Sequence, residues 1–473
     1  MDYLAILPEI SLVVLAAILL VVDLRLSKAH KENLAYVTFG GFVLIFVLTI
    51  LFSRPETGQD TAIWFGMLRH DTLAFVFRLV FMVGAAITSL LAVEWDTISK
   101  RGEFYILLVF STLGMNLMAG AGNLVMLFIS IETATIPLYA MAGFMKEDDK
   151  STEAGFKYLL FGAMTSAVML YGFSLLYGFA GTADIYALAD AFKEVPSIPL
   201  YASLMLVLVG FGFKVSMVPF HFWAPDVYEG APTPVTGFLS TASKAAGFSV
   251  LARVLIEVFP LSDWQMVLAV LSAVTMTLGN LVAIWQTNIK RMLAYSSIAH
   301  AGYILMALAA GTEFGVNSML YYIITYLLTN LAAFGFVIVY YQQTGTDEIS
   351  DYAGLSRRNA GLAFGMLFTF LSLGGIPPLG GFFAKVLVFS AAVQANLVWL
   401  AVIGVLNAVI GLYYYLTVLK VVYLKRQPGD EVPLMVNPVH GLVLVFCVIG
   451  VVLMGTVMAP WFHITAEAAK SLF

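Results

Sequence analysis

Several ionisable side chains lie inside long apolar stretches of this sequence. An ionisable group in hydrocarbon is costly unless it is paired or hydrated, so each one is a candidate functional group by default. Lysine and glutamate can bind and release a proton when their surroundings change, whereas arginine stays protonated. The chemistry that these residue types permit is proton transfer inside an apolar medium. The embedded residues are Arg78, Glu132, Lys157, Lys214, Lys244, Arg253 and Lys385.

Position along the apolar stretches separates structural from functional candidates. Arg253 and Arg78 lie within about two turns of a predicted helix end, from which a long side chain can extend to the interface. Glu9 and Asp71 lie near helix starts, where an acid most often caps the helix. We therefore expect structural roles for these four residues.

Glu132 and Lys244 are placed too deep for such roles. Glu132 follows the apolar run VMLFISI and precedes Pro137. Lys244 falls near the middle of its stretch, beyond the reach of a lysine extending to the interface. The residues around Lys244 are small, which allows close helix packing or entry of water. Both residues are expected to be functional.

Two prolines interrupt apolar stretches, and a lysine lies close to each interruption. The first stretch reads GFGFKVSMVPFHFW from Gly210, with Lys214 before Pro219. The second reads LGGIPPLGGFFAK from Leu373 and ends on Lys385. A proline within a membrane helix frees backbone carbonyls that water or polar side chains must satisfy. Broken helices at corresponding positions of two halves are typical of transporters with inverted repeats.

The composition indicates which elements must position these residues. Of 473 residues, 61% are hydrophobic and only 11% are charged, whereas a soluble domain carries about 25% charged residues. A span of about 20 apolar residues crosses a bilayer, and we predict fourteen such spans, including one that begins near residue 4 and is retained as a helix. The net charge of −5 gives no basic face for nucleic acid. The single cysteine, Cys447, excludes an intrachain disulfide and a cysteine-based metal site.

Basic residues alternate between the predicted loops. The loops after even-numbered spans and the C-terminal tail hold only Arg54, Arg69, Lys193 and Lys470. The positive-inside rule then places the loops after odd-numbered spans in the cytoplasm and both termini outside. The fourteen basic residues of the odd loops are Arg25, Lys28, Lys31, Lys100, Arg101, Lys146, Lys150, Lys290, Arg291, Arg357, Arg358, Lys420, Lys425 and Arg426.

The predicted fold is an all-α membrane protein with two inverted five-helix repeats. The broken spans are the seventh and the twelfth, and an offset of five spans inverts the topology of one repeat relative to the other. The expected division is residues 1–102 for spans 1 to 3, 103–259 for the first repeat, 260–423 for the second repeat and 424–473 for the last span.

Several motifs carry a resemblance to a known family. They are the segment from Ile131 and Glu132 to Pro137, the segment from Phe213 to Trp223, APDVYEGAPTP from Ala224, TASK from Thr241, YSSIAHAGY from Tyr295 and the segment from Gly375 to Lys385. Together they resemble the antiporter-like subunits of complex I, the proton-pumping NADH:quinone oxidoreductase. The last three are most similar to its N-type subunits, and the resemblance covers nearly the whole chain.

The resemblance implies roles for individual residues. Glu132 would pair with Lys214, and making or breaking that pair would load and unload a proton. Lys157 would share this cluster. Lys244 would be the central relay and Lys385 would face the outlet.

His300, predicted one turn into a span that begins at Ser296, would bridge hydrated segments, because a histidine can both donate and accept. A packing or capping role remains open for it, and His221 is expected to cap.

The chain itself shows no pattern for redox chemistry. It has no glycine-rich dinucleotide loop after a strand, no cluster ligands and no paired histidines for haem. The resemblance therefore implies a non-redox subunit, with NADH, FMN, iron–sulfur clusters and quinone in partner subunits. The implied partners are other membrane-arm subunits, including a neighbouring antiporter-like subunit, in the inner (plasma) membrane of a bacterium.

Two alternatives belong to other classes. One is a homologous subunit of a multisubunit Na⁺/H⁺ antiporter or of a membrane-bound hydrogenase, because such subunits share these lysines. The other is a stand-alone transporter of a small organic solute. A solute carrier needs an apolar pocket with a few ligand-fixing polar groups, and no such pattern is evident.

Overall fold

The protein is described by a computed structural model for residues 3–27, 30–55, 61–95, 97–194 and 197–473. Within those residues, 13 helices are long and apolar enough to cross a membrane by length and composition. Two shorter apolar helices together form the remaining predicted span. The all-α membrane fold expected from the sequence is therefore confirmed.

The helices before the first break are α1 (Leu7–Arg25), α2 (Asn33–Phe52), α3 (Thr72–Leu91), α4 (Gly102–Ala119), α5 (Leu124–Ala142), α6 (Asp149–Ala180), α7 (Ile185–Ala191) and α8 (Ser197–Val215). The next are α9 (Trp223–Gly230), α10 (Thr233–Phe238), α11 (Lys244–Val258), α12 (Leu261–Ala283), α13 (Ile289–Ala309) and α14 (Glu313–Thr344). The last are α15 (Leu355–Arg358), α16 (Ala360–Gly374), α17 (Gly380–Gln394), α18 (Val398–Leu424), α19 (Pro438–Thr456) and α20 (Met458–Ala469).

Short irregular elements complete the chain. A π-helical turn, Leu239–Ser243, joins α10 to α11, so the three form one span. Strands β1 (Ala62–Ile63) and β2 (Leu68–Arg69) pair antiparallel between α2 and α3. The remaining short segments are 3₁₀ turns at Phe192–Glu194, Ile349–Tyr352 and Lys470–Leu472.

Polar side chains mark several helix starts. Asp71 accepts a hydrogen bond from the Ala74 N–H at the start of α3, and Asn288 accepts one from the Arg291 N–H at the start of α13. Each satisfies a backbone donor that has no partner within its own helix. The capping role expected for Asp71 is thus present.

The loops separate into two groups at opposite ends of the bundle. One group follows the odd-numbered spans: Lys100 pairs with Glu32, and Ile289 N–H donates to the Asp347 carbonyl. The other follows the even-numbered spans: Arg69 N–H donates to the Gly120 carbonyl. We call these ends the odd-loop face and the even-loop face. Lys28, which was assigned to the odd loops, lies outside the described residues.

Both predicted breaks are present. In the seventh span, helical structure stops at Val215 and resumes at Trp223. The Val218 N–H, freed from any helix, donates to the Thr275 hydroxyl at 3.1 Å. In the twelfth span, Gly375 ends α16 in the left-handed conformation at φ 85°, and α17 begins at Gly380.

Four features differ from the sequence-based expectation. The tenth span begins at Ile289 and not at Ser296, so His300 lies three turns into the helix and not one. The capping side chain of Asn288 allows the charged Lys290 and Arg291 to join the helix, whereas hydropathy alone stops at charges. The other unexpected elements are α7, α20 and the β1–β2 hairpin.

The helices that carry the embedded lysines occupy the interior. Nearly all residues of α10, α11, α13 and α14 are buried, whereas α1, α2 and α6 expose most of theirs. Packing follows the predicted repeats: α4 packs on α5 and α6 on α8, while α12 packs on α13 and α14 on both α16 and α17. This correspondence is what two repeats would produce, and their boundaries stay a prediction.

Candidate functional site: a line of buried lysines

Of the predicted relay residues, three lysines and one histidine are buried within the bundle; Lys290, His221 and His440, which were not assigned to the relay, are buried as well. Lys214 is 5% exposed, Lys244 3%, His300 4% and Lys385 5%. No salt bridge to an acid is formed by any of the three lysines within the described part of the chain. Their ammonium groups instead donate to hydroxyls and backbone carbonyls. A buried amine without a counter-ion can change its protonation state without breaking an ion pair.

Lys214 lies in the last turn of α8, immediately before the first break. Its ammonium donates to the Thr135 hydroxyl on α5 at 2.5 Å. A cavity of about 10 Å³ adjoins both side chains and is also lined by Tyr139 and Ser166. That volume is close to the least that a buried water requires, and the lining offers it polar partners.

The predicted pair of Glu132 with Lys214 is not formed as a salt bridge among the described residues. Glu132 is half-buried, and its Oε1 atom is buried without a hydrogen-bond partner in that part of the chain. The reason is helical geometry. Glu132 falls on the outward stripe of α5 with Ile129 and Ile136, which are exposed, and Thr135 takes the position that faces Lys214.

Lys244 connects the eighth span to the tenth. Its ammonium donates to the Ser297 hydroxyl at 2.6 Å and to the Ser297 carbonyl at 3.1 Å. The Tyr228 ring lies 5.7 Å from the same nitrogen. Lys244 follows directly on the π-helical turn, a type of turn that is frequent at functional sites.

His300 lies between two tyrosine hydroxyls. Its Nδ1 atom is 2.6 Å from the Tyr322 hydroxyl, and its Nε2 atom is 3.1 Å from the Tyr415 hydroxyl. Both Lys244 and Lys385 are close enough to act on the imidazole electrostatically. Because both ring nitrogens have hydroxyl partners, the imidazole can accept a proton on one side and release one on the other.

Lys385 reaches back into the second break. Its ammonium donates to the Leu373 carbonyl at 2.8 Å and the Gly374 carbonyl at 3.0 Å, and it lies 5.2 Å from the Tyr303 ring. These carbonyls belong to the end of α16, where no following helical turn satisfies them. Lys385 lies nine residues before the end of α17, and α17 ends at the even-loop face. It therefore lies in the half of the twelfth span that is nearer the even-loop face, as expected for a residue at the outlet.

Lys157 does not join the Lys214 cluster. It is 32% exposed and forms salt bridges to Glu153 and Asp226, each at 2.6 Å. Asp226 also binds Arg291, so Lys157 belongs to an ion network at the odd-loop face. The sequence-based assignment is wrong because Lys157 lies only two turns from the start of α6, on the side that faces α9.

Hydrogen bonds control the ionisation of the acids in that network. Burial opposes ionisation of Asp226 and Glu229, but hydrogen bonds from Lys157, Lys150 and Arg291 outweigh it. The pKa of each carboxyl is therefore held below its ordinary value. Both acids stay charged at neutral pH, and Lys157 remains paired.

Two arginines expected to extend to the interface instead form buried ion pairs. Arg253 donates to both carboxylate oxygens of Asp71, at 2.7 and 3.0 Å. The Arg78 Nε atom lies 2.8 Å from the Glu9 Oε1 atom. Removing one member of a buried pair typically costs about 3–5 kcal/mol, because the other charge is left alone. The structural role predicted for these residues thus takes the form of pairing inside the bundle.

Sequence analysis did not identify the hydroxyl groups of the site. Ser297, Tyr303, Tyr322 and Tyr415 are all buried, and each contacts a buried lysine, His300 or a group bonded to them. A signal was available for Ser297, which lies one turn before His300 on the same helix. Tyr303 lies on the same helix, whereas Tyr322 and Tyr415 come from α14 and α18. Apolar periodicity treats these tyrosines as ordinary core aromatics.

Taken together, the fold and the site define a class of protein. It is a polytopic α-helical membrane protein with two interrupted spans and a buried line of proton-binding groups at the middle of the bundle.

Comparison with known proteins agrees with this class. The sequence model of the NADH:quinone oxidoreductase/Mrp antiporter transmembrane family matches residues 121–411. The chain is 42% identical over 455 residues to NADH-quinone oxidoreductase subunit N of Heliobacterium modesticaldum, covering 95% of each. It is 40% identical over 482 residues to NAD(P)H-quinone oxidoreductase subunit 2 of Synechococcus elongatus, covering 98% of this chain and 92% of that one.

Solved structures give the same result. A chain in respiratory complex I from Thermus thermophilus with bound aureothin matches with a TM-score of 0.82 at 31% identity, covering 96% of this chain and 98% of that one. A chain in the Mrp complex from Dietzia sp. matches with a TM-score of 0.88 over 100% of this chain and 98% of that one, at 18% identity, which shows the fold alone. The chain belongs to the NADH:quinone oxidoreductase/Mrp antiporter transmembrane family, among its subunit N relatives.

Proposed function

We propose that this chain is a proton-translocating, antiporter-like membrane subunit of an NADH:quinone oxidoreductase. It moves protons through Lys214, Lys244, His300 and Lys385, and redox chemistry in partner subunits drives the movement. The observation that carries the proposal is the line of buried lysines whose ammonium groups bind hydroxyls and carbonyls in place of acids. A structural lysine at such depth would be expected to have a counter-ion, as Arg253 and Arg78 do.

The resemblance to subunit N relatives supports the choice among related complexes. Relatives named as quinone oxidoreductase subunits match at about 40% identity over nearly the whole chain. The match to the Mrp complex, at 18% identity, supports only the fold. No separate observation favours the alternative that this chain is a subunit of a Na⁺/H⁺ antiporter.

The proposed membrane placement has the odd-loop face in the cytoplasm and the even-loop face outside, in the inner membrane of a bacterium. Fourteen basic residues, which the sequence assigns to the odd loops and of which several lie in the adjoining helix ends, against four in the even loops and tail support it. In this orientation Lys385 stands in the outer half of the membrane, on the outlet side of the relay.

The outward stripe of α5 supports the proposed contact with a neighbouring antiporter-like subunit. Glu132 places a carboxyl on that stripe between the exposed Ile129 and Ile136. One oxygen of this carboxyl is buried without a hydrogen-bond partner among the described residues, so a covering protein surface with a basic or hydroxyl group would stabilise the group. The pairing partner of Glu132 would then come from the neighbour.

Substitution of the two break lysines tests the proposed function. Lys214→Ala and Lys385→Ala complexes are expected to assemble, because neither change leaves a buried charge unpaired, but to lose proton pumping coupled to quinone reduction. Lys193→Ala is the matched control, because Lys193 is exposed and pairs with the exposed Asp190. Assembled Lys214→Ala and Lys385→Ala complexes that pump like the control would refute the proposal.

A further inference from the structure

A polar cleft opens on the odd-loop face, away from both helix breaks. It has a volume of about 370 Å³ and lies between the end of α12, the start of α13, the 3₁₀ turn after α14, and α18. Its wall is rich in groups that bind water, unlike the lipid-facing surface. The polar residues of the wall, besides Tyr413 and Tyr414, are Gln286, Thr287, Glu348, Ser350, Thr417 and Lys425.

The cleft descends along one side of α18. The helix contributes a lining residue at every third or fourth position, namely Tyr414, Thr417, Val421 and Lys425. That spacing places them on one face of the helix, with Tyr414 about 16 Å below Lys425 at 1.5 Å per residue. The deepest part of the cleft therefore lies about three turns inside α18 from the odd-loop end of that helix.

A chain of hydroxyl groups begins at that depth. Tyr414 is buried at the bottom of the cleft, and its ring packs against that of Tyr415, with the two ring centroids 4.4 Å apart. The Tyr415 hydroxyl shares a short hydrogen bond with Ser296 and lies 3.1 Å from the His300 Nε2 atom. The opposite ring nitrogen of His300 contacts the Tyr322 hydroxyl.

An amide network holds Tyr414 in place. The Tyr414 hydroxyl donates to the Asn280 Oδ1 atom at 3.1 Å, and the Asn280 Nδ2 atom donates to the Tyr303 hydroxyl and to Asn407. Asparagine side chains neither gain nor lose a proton at neutral pH, so the role of this network is to position the tyrosines. The route for a proton runs through hydroxyls and the imidazole.

We propose that this cleft is a second proton entry, through which water on the odd-loop face delivers protons to His300 by way of Tyr414, Tyr415 and Ser296. The inference rests on the proposed function. It adds an uptake route in the half of the molecule that carries Lys385, separate from the Lys214 break. Tyr414 and Tyr415 are the residues that touch the moving proton.

The transfer is balanced at every atom. The Tyr414 hydroxyl first turns from the Asn280 Oδ1 atom toward Tyr415. A hydrated proton in the cleft then binds to the Tyr414 oxygen as that hydroxyl releases its own proton to Tyr415 or Ser296. The Tyr415 hydroxyl then gives its proton to the His300 Nε2 atom, and the Nδ1 atom releases one toward Tyr322. Tyr322 passes a proton on into the small cavity that it lines with Ser372 and Leu373. No bond other than O–H and N–H changes. Rotation of the hydroxyls and a flip of the imidazole ring, which returns its proton to the Nδ1 side, restore the starting arrangement.

Thiol labelling tests whether the cleft holds water. Thr417→Cys, in a background with Cys447→Ser, should react with a membrane-impermeant thiol reagent in vesicles that expose the odd-loop face. Leu416→Cys is the matched control, because Leu416 is adjacent, equally deep and exposed, but lies outside the cleft wall. Equal labelling of the two cysteines, or none at Thr417→Cys, would overturn the proposal whether or not the chain moves protons.

A tyrosine substitution tests whether the water is used. Tyr414→Phe in the assembled complex should lower proton pumping per quinone reduced. Tyr171→Phe, a change on the exposed surface of α6, should not. Full pumping by Tyr414→Phe beside a loss in Lys214→Ala would refute this entry and leave the proposed function intact. Full pumping by both would refute the proposed function itself.

Discussion

At the scale of single residues, the partners of the buried lysines distinguish them from the arginines of the same bundle. Arg253 has the two oxygens of Asp71, a fixed ion pair that keeps its charge permanently. Lys214 has a threonine hydroxyl, and Lys244 has a serine. A hydroxyl can donate to a neutral amine or accept from a charged one, so it suits a lysine that changes its protonation state.

Thr135 should therefore matter for transport. Thr135→Val keeps the shape of the side chain but removes the hydroxyl that binds the Lys214 ammonium, a hydrogen bond to a charged group worth about 1.5–3 kcal/mol. We expect slower proton pumping in a complex that assembles normally, measured in vesicles driven by NADH.

Thr133→Val supplies the control on the same helix. The Thr133 hydroxyl bonds to the Ile129 carbonyl of its own helix and faces away from Lys214. Equal pumping by Thr133→Val and Thr135→Val would show that the Lys214 contact has no role in transport.

At the scale of elements, the two interrupted spans position the lysines. The glycine- and proline-rich segments of the sequence predicted both breaks, because the effect of proline and glycine on a helix is local. The direction in which each side chain points was not predictable in the same way. Glu132 lies on the outward stripe of α5 with one carboxyl oxygen buried, and Lys157 faces the odd-loop network. Both orientations depend on which helices pack beside α5 and α6.

Gly375 gives a direct test of the second break. Its φ of 85° is a left-handed conformation, and a Cβ atom there would come within 2.8 Å of the Lys385 side chain. Gly375→Ala should cost about 1–2 kcal/mol in backbone strain and displace the Lys385 ammonium from its two carbonyl acceptors. We expect reduced proton pumping by complexes that still assemble.

Gly361→Ala is the comparison for that experiment. Gly361 lies in the first turn of α16, and a Cβ atom there would meet only an Asn359 oxygen at an ordinary 3.5 Å. If the Gly375→Ala complex pumped as well as the Gly361→Ala complex, the break would have no part in placing Lys385.

At the scale of the whole molecule, fourteen spans and their alternating loops followed from composition and charge. The tyrosine hydroxyls around His300 did not, because they belong to α14 and α18, which are distant in sequence from α13. The proposed function also requires partner subunits, which one chain cannot supply. The outward position of Glu132 predicts a second protein surface against α5.

Labelling in the membrane tests that surface. Ile136→Cys should react with a lipid-soluble maleimide when the chain is alone and should be protected in the assembled complex, because the proposed neighbouring subunit would cover the α5 stripe. Reaction in the complex as fast as in the isolated chain would contradict a neighbour at Glu132.

The central claim is that the buried lysines carry protons. Lys244→Arg tests it most directly, because arginine keeps the positive charge at the centre of the bundle but does not release its proton. Proton pumping per electron is the measurement, made in assembled complexes beside wild type. The account predicts that Lys244→Arg abolishes coupled pumping by this subunit, and wild-type pumping by an assembled Lys244→Arg complex would contradict it.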